Sequence, residues 1–274
     1  MKILNRIRDN LTKKKLTRLN VIVSCIILTL LCTAIAVNSS DLLFKYDLPQ
    51  KNFVTLKISV SVENSPCDTG DLSSYLQDDC GSKNIFESRA SATALKSVGG
   101  YSYFLTADHF CNTDQIQNRL ESSTNEYSFF TDMKIIKDSK EYVFEIVYQD
   151  YARDLCLIRS EEYVMGEQTR LADSMPEVGE EVVTISSPLG ISENNINLHF
   201  SGMFSGCNES TCFFTVPAIS GSSGSLILNR DNEVVGITQS ALINFPEVTI
   251  GVGIHTIREF LQEYKEKSGI DVLN

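Results

Sequence analysis

Between Phe53 and Ile254 the chain repeats one pattern: short apolar or alternating runs separated by turn-forming residues. The runs fall at Phe53–Val62, Ser91–Leu95, Tyr103–Thr106, Lys134–Ile136, Tyr142–Val147, Leu155–Arg159, Glu181–Ile185, Asn195–Phe204, Cys212–Val216, Ser225–Leu228, Val234–Ser240 and Val248–Ile254. A period of two places alternate side chains on opposite faces of a strand. A long succession of such runs, punctuated by Gly, Asn, Asp and Ser, predicts an all-β domain. Only the C-terminus departs from it. Ile257, Phe260, Leu261 and Tyr264 fall at helical spacing, so a closing helix is expected over Ile257–Lys267, with Thr256 as its cap. Residues 52–274 are enough chain to bury a stable core.

The other end has a different composition. Residues 1–20 hold Lys2, Arg6, Arg8, Lys13, Lys14, Lys15 and Arg18 against one acid, Asp9. Residues 21–37, VIVSCIILTLLCTAIAV, then carry no charge. Seventeen apolar residues reach the lower end of what a membrane-spanning helix needs. The basic flank predicts a signal-anchor with its N-terminus in the cytoplasm. A cleaved signal peptide is the rival reading, because Ala34-Ile35-Ala36 has the form of a cleavage site. Either way the β domain is exported, to the periplasm or the cell exterior. Residues 38–51 are polar and without periodicity, and are expected to be a linker. Cys25 and Cys32 fall on one helix face, where a lipid-facing role is the plain reading.

Charge and cysteines agree with export. The chain carries −11; seven basic residues against one acid give the leader +6, which leaves −17 for residues 21–274. So acidic a domain argues against nucleic acid as a partner, since phosphate binding needs basic patches. Beyond residue 37 stand Cys67, Cys80, Cys111, Cys156, Cys207 and Cys212. An even number suits three disulfides in an oxidising compartment, with about 15 possible pairings. Cys207 and Cys212 bracket a four-residue turn and make the most economical pair. Cys111 and Cys156 each stand two residues past a candidate site residue, and a bridge between them is reasonable if those residues face each other. Cys67 and Cys80 would then close a loop ahead of the main strands. The connectivity stays open. No spacing suggests zinc, and neither a metal nor a cofactor is expected.

Candidate chemistry centres on Gly221-Ser222-Ser223-Gly224-Ser225. A nucleophilic hydroxyl must stand on a tight turn, with backbone N–H groups converging beside it to hold an oxyanion. Glycines allow both the bend and a close approach. The chain offers three histidines as bases: His109 at the end of Tyr103-Phe104-Leu105-Thr106-Ala107-Asp108, His199 within an alternating run, and His255 ahead of the closing helix. For the last two a strand or cap position without chemistry is expected. Asp154 opens the apolar run Leu155-Cys156-Leu157-Ile158, forty-five residues after His109.

Leu105-Thr106-Ala107-Asp108-His109 resembles the TAAH segment of chymotrypsin-like proteases, and Asp154-Leu155-Cys156-Leu157-Ile158 their strand headed by the orienting aspartate. The order His, Asp, Ser is that of the same family. Glu177-Val178-Gly179 through Ser186-Ser187-Pro188-Leu189-Gly190 and the hairpin Asn229–Ile237 are similar to segments of HtrA-type proteases, and the hairpin also to glutamyl endopeptidases. Over residues 85–265 the chain thus resembles a trypsin-like (chymotrypsin-fold) serine protease of the compact bacterial kind, and no PDZ domain is expected after it. The resemblance implies two six-stranded antiparallel β-barrels with a C-terminal helix, occupying residues 52–274 behind the transmembrane helix. It further implies a serine endopeptidase with catalytic His109, Asp154 and Ser223, an oxyanion hole from the N–H groups of Gly221 and Ser223, and a protein or peptide substrate. Ser225 and Leu226 stand where many relatives carry Gly-Pro.

By the same resemblance, the substrate side chain is met by the segment before the nucleophile, including Pro217 and Ala218, and by Thr238, Gln239 and Ser240, with Gly251–Gly253 behind. No acid sits at that floor, and Thr238 stands where glutamyl endopeptidases carry a histidine. A neutral or small apolar side chain is therefore expected at the cleaved bond. The alternative is a protease-fold binding or assembly module without activity. An esterase on another fold is disfavoured by the motif order and by the missing Gly-x-Ser-x-Gly elbow.

Overall fold

Alternating runs do become strands, arranged in two sheets in the computed structural model of the chain. The structure describes residues 52–63, 83–112, 128–163, 165, 168–194, 197–208 and 211–273. The basic leader, the apolar segment 21–37, the linker and the pair Cys67 and Cys80 lie outside these residues. Among the described residues no helix is long and apolar enough to cross a membrane.

The strands are β1 (Phe53–Glu63), β2 (Lys83–Val98), β3 (Tyr101–Thr106), β4 (Ser128–Lys137), β5 (Lys140–Val143), β6 (Glu145–Asp150), β7 (Leu155–Ser160), β8 (Arg170–Leu171), β9 (Glu181–Ser186), β10 (Leu198–Cys207), β11 (Cys212–Phe214), β12 (Leu226–Leu228), β13 (Glu233–Leu242) and β14 (Phe245–Gly253). The helices are α1 (Asp108–Cys111) and α2 (Ile254–Ser268), with a 3₁₀ segment at Pro188–Asn194. The first sheet runs β5-β4-β1-β2-β3-β7-β6, antiparallel throughout. The second runs β12-β9-β10-β11-β14-β13, and a β12–β13 ladder closes these six strands into a barrel. Strand β8 adds in parallel to the outside of β13.

The expected architecture is therefore present as one closed barrel and one half-barrel. The half-barrel departs from expectation at a run read as a single strand, Tyr142–Val147. This divides at Phe144, so that β5 bonds β4 at one end of the sheet and β6 bonds β7 at the other. The short α1 and β8 carry no periodicity to reveal them.

Strands β3 and β7 serve two cores. Tyr103, Leu105, Leu155 and Leu157 pack with the barrel and α2, whereas Phe104, Cys156 and Ile158 face the core of the half-barrel. Burial on both faces explains why these strands read as continuous apolar runs. Helix α2 begins at Ile254, three residues earlier than expected, with Gly253 rather than Thr256 at its N-cap. Ile254 is fully buried and extends the stripe of Ile257, Phe260, Leu261 and Tyr264 backwards by one turn, so β14 passes into the helix without a break. The helix ends at Gly269, in the left-handed region, whose N–H donates to the Lys265 carbonyl.

Candidate active site

The histidine arrives on α1, a single turn directly after β3, and the aspartate arrives on the turn before β7. Strands β3 and β7 are neighbours, paired Thr106 to Cys156. Residues just past one and just before the other must therefore meet. Asp154 accepts the His109 backbone N–H at 2.7 Å, and its two oxygens lie 3.0 and 2.9 Å from His109 Nδ1. The Cys111–Cys156 disulfide bridges the same two elements from behind. The second disulfide, Cys207–Cys212, joins β10 to β11.

Hydrogen bonding to Asp154 raises the His109 pKa above the ordinary histidine value; burial opposes it, and the charges of Asp154 and Asp108 add to it. Asp108 is itself buried. Burial raises its pKa, the Gln149 Nε2 bond at 3.0 Å lowers it, and the charges of Asp154 and Asp150 raise it again. This second carboxylate departs from the TAAH resemblance, and the departure was its only signal in the sequence.

The serine comes from the other sheet. The turn before β12 carries three serines, and burial separates them. Ser222 is 2% and Ser225 0% exposed, whereas Ser223 is partly exposed in a cleft of about 550 Å³ that His109 and Asp154 also line. The Ser223 hydroxyl donates to the Gln239 carbonyl at 3.1 Å, not to His109. Unliganded sites commonly leave such a bond long or misdirected until substrate arrives.

The turn is shaped by close approach. Gly224 has φ +84°, and a Cβ there would lie 2.0 Å from the Ser91 carbonyl oxygen and 2.3 Å from Thr106 Oγ1. Gly221 has φ +94°, with the Ser187 carbonyl oxygen 2.4 Å from its would-be Cβ. No other residue fits either place without moving backbone. The Ser220 carbonyl accepts the Leu189 N–H at 2.9 Å. Because the peptide is planar and trans, this turns the Gly221 N–H away from Leu189. Among the described residues neither the Gly221 nor the Ser223 N–H is bonded to an acceptor.

Sequence reasoning did not single out Ser91, read only as part of a strand. Its hydroxyl donates to the Gly221 carbonyl at 2.8 Å and accepts the Ser187 N–H at 3.1 Å; its N–H donates to the Ser223 carbonyl at 2.8 Å. Strand β2 of the half-barrel thus holds the serine turn of the barrel. Ala218, Ile219, Ser220, Thr238, Gln239 and Ser240, from the two segments read as meeting the substrate, line the cleft, joined by Ala241, which sequence reasoning did not include. Pro217 is not among the lining residues. Gly251 and Gly253 are not either: they press on the Ile237 carbonyl and on Cys212 and Met175, inside the barrel. The Gln239 side chain donates to the Arg153 carbonyl at 3.0 Å. His199 and His255 are exposed and outside the cleft; burial lowers the His199 pKa.

Comparison with known proteins agrees with this fold. The Rv3671c protease of M. tuberculosis, in its active form, superposes with a TM-score of 0.53 at 10% identity, covering 79% of this chain and 82% of that one. The inactive form of Rv3671c from M. tuberculosis H37Rv, a serine-to-alanine mutant, gives 0.53 at 10% identity over 81% and 90%. At that identity the likeness is one of fold. No curated protein matches the chain. The family model of the trypsin-like peptidase domain matches residues 90–237, more than half of the chain and including His109, Asp154 and Ser223. The chain belongs to the trypsin-like peptidase family and is by class a serine protease.

Proposed function

We propose that the protein is an exported, membrane-tethered endopeptidase that works through His109, Asp154 and Ser223. One observation carries the reading: a histidine already paired with a half-buried aspartate shares a cleft with the one serine of the Gly221–Ser225 turn that is not buried. In this mechanism the Ser223 hydroxyl leaves the Gln239 carbonyl and turns to His109 Nε2, which takes its proton as Oγ attacks the scissile carbonyl carbon. The carbonyl π electrons move to oxygen, and the N–H groups of Gly221 and Ser223 hold that oxyanion. The intermediate collapses, the C–N bond breaks, and the leaving amine takes the proton from His109. Water then repeats the sequence on the acyl-enzyme and restores Ser223. Asp154 keeps the Nδ1 proton directed to itself, so that Nε2 is the basic nitrogen, and stabilises the imidazolium.

The substrate reading follows from the lining. Ala218, Ile219, Ser220, Thr238, Ser240 and Ala241 bring no charge to the cleft. Ile219 is exposed, and the neighbouring β13–β14 hairpin exposes Ile243 almost completely, with Phe245 beside it. A protein or peptide chain with a neutral or small apolar side chain at the cleaved bond suits these walls.

Tethering is inferred from the uncharged segment 21–37 behind a basic leader, and export is supported by two disulfides, which persist in oxidising compartments. Expressed in full, the protein should remain in the membrane fraction after alkaline extraction; a soluble product beginning at Val37 would instead establish a cleaved signal peptide. A fluorophosphonate should label the purified domain and Ser223→Ala should abolish the label. Labelling that survives the substitution rejects the assignment, and a folded domain without labelling or turnover is the binding module instead.

A further inference from the structure

Asp154 holds φ +53°, a left-handed conformation that residues other than glycine seldom adopt and that persists only where the surroundings enforce it. The residue before it shows how. The Arg153 N–H donates to Asp150 Oδ1 at 3.0 Å and its Nε to Asp150 Oδ2 at 2.8 Å, while its carbonyl accepts Gln239 Nε2 at 3.0 Å. Its Nη2 donates to Glu263 Oε1 on α2, while Nη1 is buried without a hydrogen-bond partner among the described residues. The other Glu263 oxygen accepts the Tyr148 hydroxyl of β6 at 3.0 Å. Tyr148 stacks on Phe260 of the same helix with centroids 4.9 Å apart, and its oxygen accepts Lys267 Nζ at 2.6 Å. Glu263 thus spends both oxygens on the segment Tyr148–Arg153. The Arg153 bond, and after it the Tyr148 bond, holds its carboxyl below the usual carboxylate range.

We infer that Glu263 is a positioning residue of the active site: through Arg153 it fixes the strained Asp154 and so makes the orientation of His109 depend on the docking of the C-terminal helix. The inference rests on the reading of His109, Asp154 and Ser223 as a catalytic triad. The couple lies far apart in sequence and has no place in the cleft, so it acts on the reaction only through the acid turn. A stabilising bridge alone would leave the chemistry untouched when cut; a positioning one changes how Asp154 meets His109.

The test compares Glu263→Gln, Glu263→Ala, Arg153→Ala and the double alanine variant. Glu263→Gln keeps an acceptor for Arg153 and guards against a failure to fold. Misplaced catalytic groups can lose up to about a hundredfold in rate, so we expect kcat for Glu263→Ala to fall roughly tenfold with KM within twofold, and Glu263→Gln to lie between it and the parent. The double variant should be no slower than Arg153→Ala, as for two residues acting through one contact. The acidic limb of kcat/KM should move to lower pH as the Asp154 bond to His109 weakens. A second readout needs no turnover: NMR titration of His109 in the Ser223→Ala protein should give a lower pKa once Glu263→Gln is added. If these variants lower only Tm, leaving kcat, the acidic limb and the His109 titration in place, the proposal is overturned. A parent protein that neither labels nor cleaves sinks the protease mechanism instead, and the His109 titration still decides the role of Glu263.

Discussion

The turn that carries Ser223 and the couple His109–Asp154 face each other across one cleft but are held by different forces. The serine turn depends on exclusion: glycines at positive φ press on neighbouring backbone, and main-chain bonds run from Ser223 to Ser91 and from Gly224 to Thr238. The base–acid couple depends on charge and covalency, namely the carboxylate of Asp154, the Arg153 network and the Cys111–Cys156 disulfide. A site held by exclusion should fail abruptly when filled. One held by charge should weaken by degrees and respond to pH.

The sharpest break of this comparison is Gly224→Ala. Its Cβ would sit 2.0 Å from the Ser91 carbonyl oxygen, so either the turn or β2 must move. We expect activity to fall by at least about a hundredfold, the scale set for displaced reacting groups. Unfolding in urea should show a loss of about 1–3 kcal/mol, the scale of a strained backbone residue. Wild-type turnover by this variant would mean that the turn is not held by exclusion. On the other side of the cleft, removal of the Cys111–Cys156 bridge tests covalency. It spans 45 residues of sequence against 5 for Cys207–Cys212. Chain entropy then assigns the long bridge about 4 kcal/mol and the short one about 2. Paired Cys→Ala variants followed by urea unfolding should rank in that order, and only loss of the Cys111 pair should also slow catalysis.

Ser91→Ala probes the contact between the two halves. It leaves the buried Gly221 carbonyl and Ser187 N–H without their hydroxyl partner. A cost of about 1–3 kcal/mol follows for unsatisfied buried groups. Turnover should fall together with stability, because the Gly221 carbonyl belongs to the turn that carries Ser223, the proposed nucleophile. An unchanged kcat would show that the half-barrel stabilises the turn without shaping it.

Much of this arrangement was legible in the sequence, for reasons that differ by region. The strands were readable because alternation is local, and β3 and β7 because burial on both faces leaves an unbroken apolar run. His109, Asp154 and Ser223 stood out because each sits at a strand end in a motif of small or apolar residues. Cys111–Cys156 followed once those residues were placed face to face. What escaped were contacts between residues remote in sequence. Ser91 looks like any polar position of an alternating strand, and its three bonds reach residues 96 to 132 positions away. The Arg153–Glu263 pair, 110 residues apart, leaves no local trace either. The division of Tyr142–Val147 escaped because a change of ladder partner is set by the sheet's curl rather than by the hydropathy of Phe144. The early start of α2 was readable in principle from Ile254, and was hidden by the continuity of strand β14 into the helix.

The smallest expected effect concerns pH and the carboxylate of Asp108. In the proposed mechanism His109 must be neutral to accept the proton of Ser223, so kcat/KM should rise with pH through the His109 pKa. That pKa is raised by the Asp154 bond, against the effect of burial, with charge from Asp154 and Asp108 adding to it. The acidic limb should therefore have its midpoint above about 6.5, the ordinary histidine value. The stability sign follows from the same shift. Because the folded pKa exceeds the unfolded one, the ion pair's contribution is fully present below about 6.5 and is lost as pH rises through the folded value. Asp108→Asn keeps an acceptor for Gln149 Nε2 while removing one of the two negative charges that raise the His109 pKa. The acidic limb should then move to lower pH by less than it does when the Asp154 bond itself is disturbed, with kcat on the plateau nearly unchanged. A limb that stays in place would mean that the charge of Asp108 does not act on His109 and that the couple takes its charge from Asp154 alone.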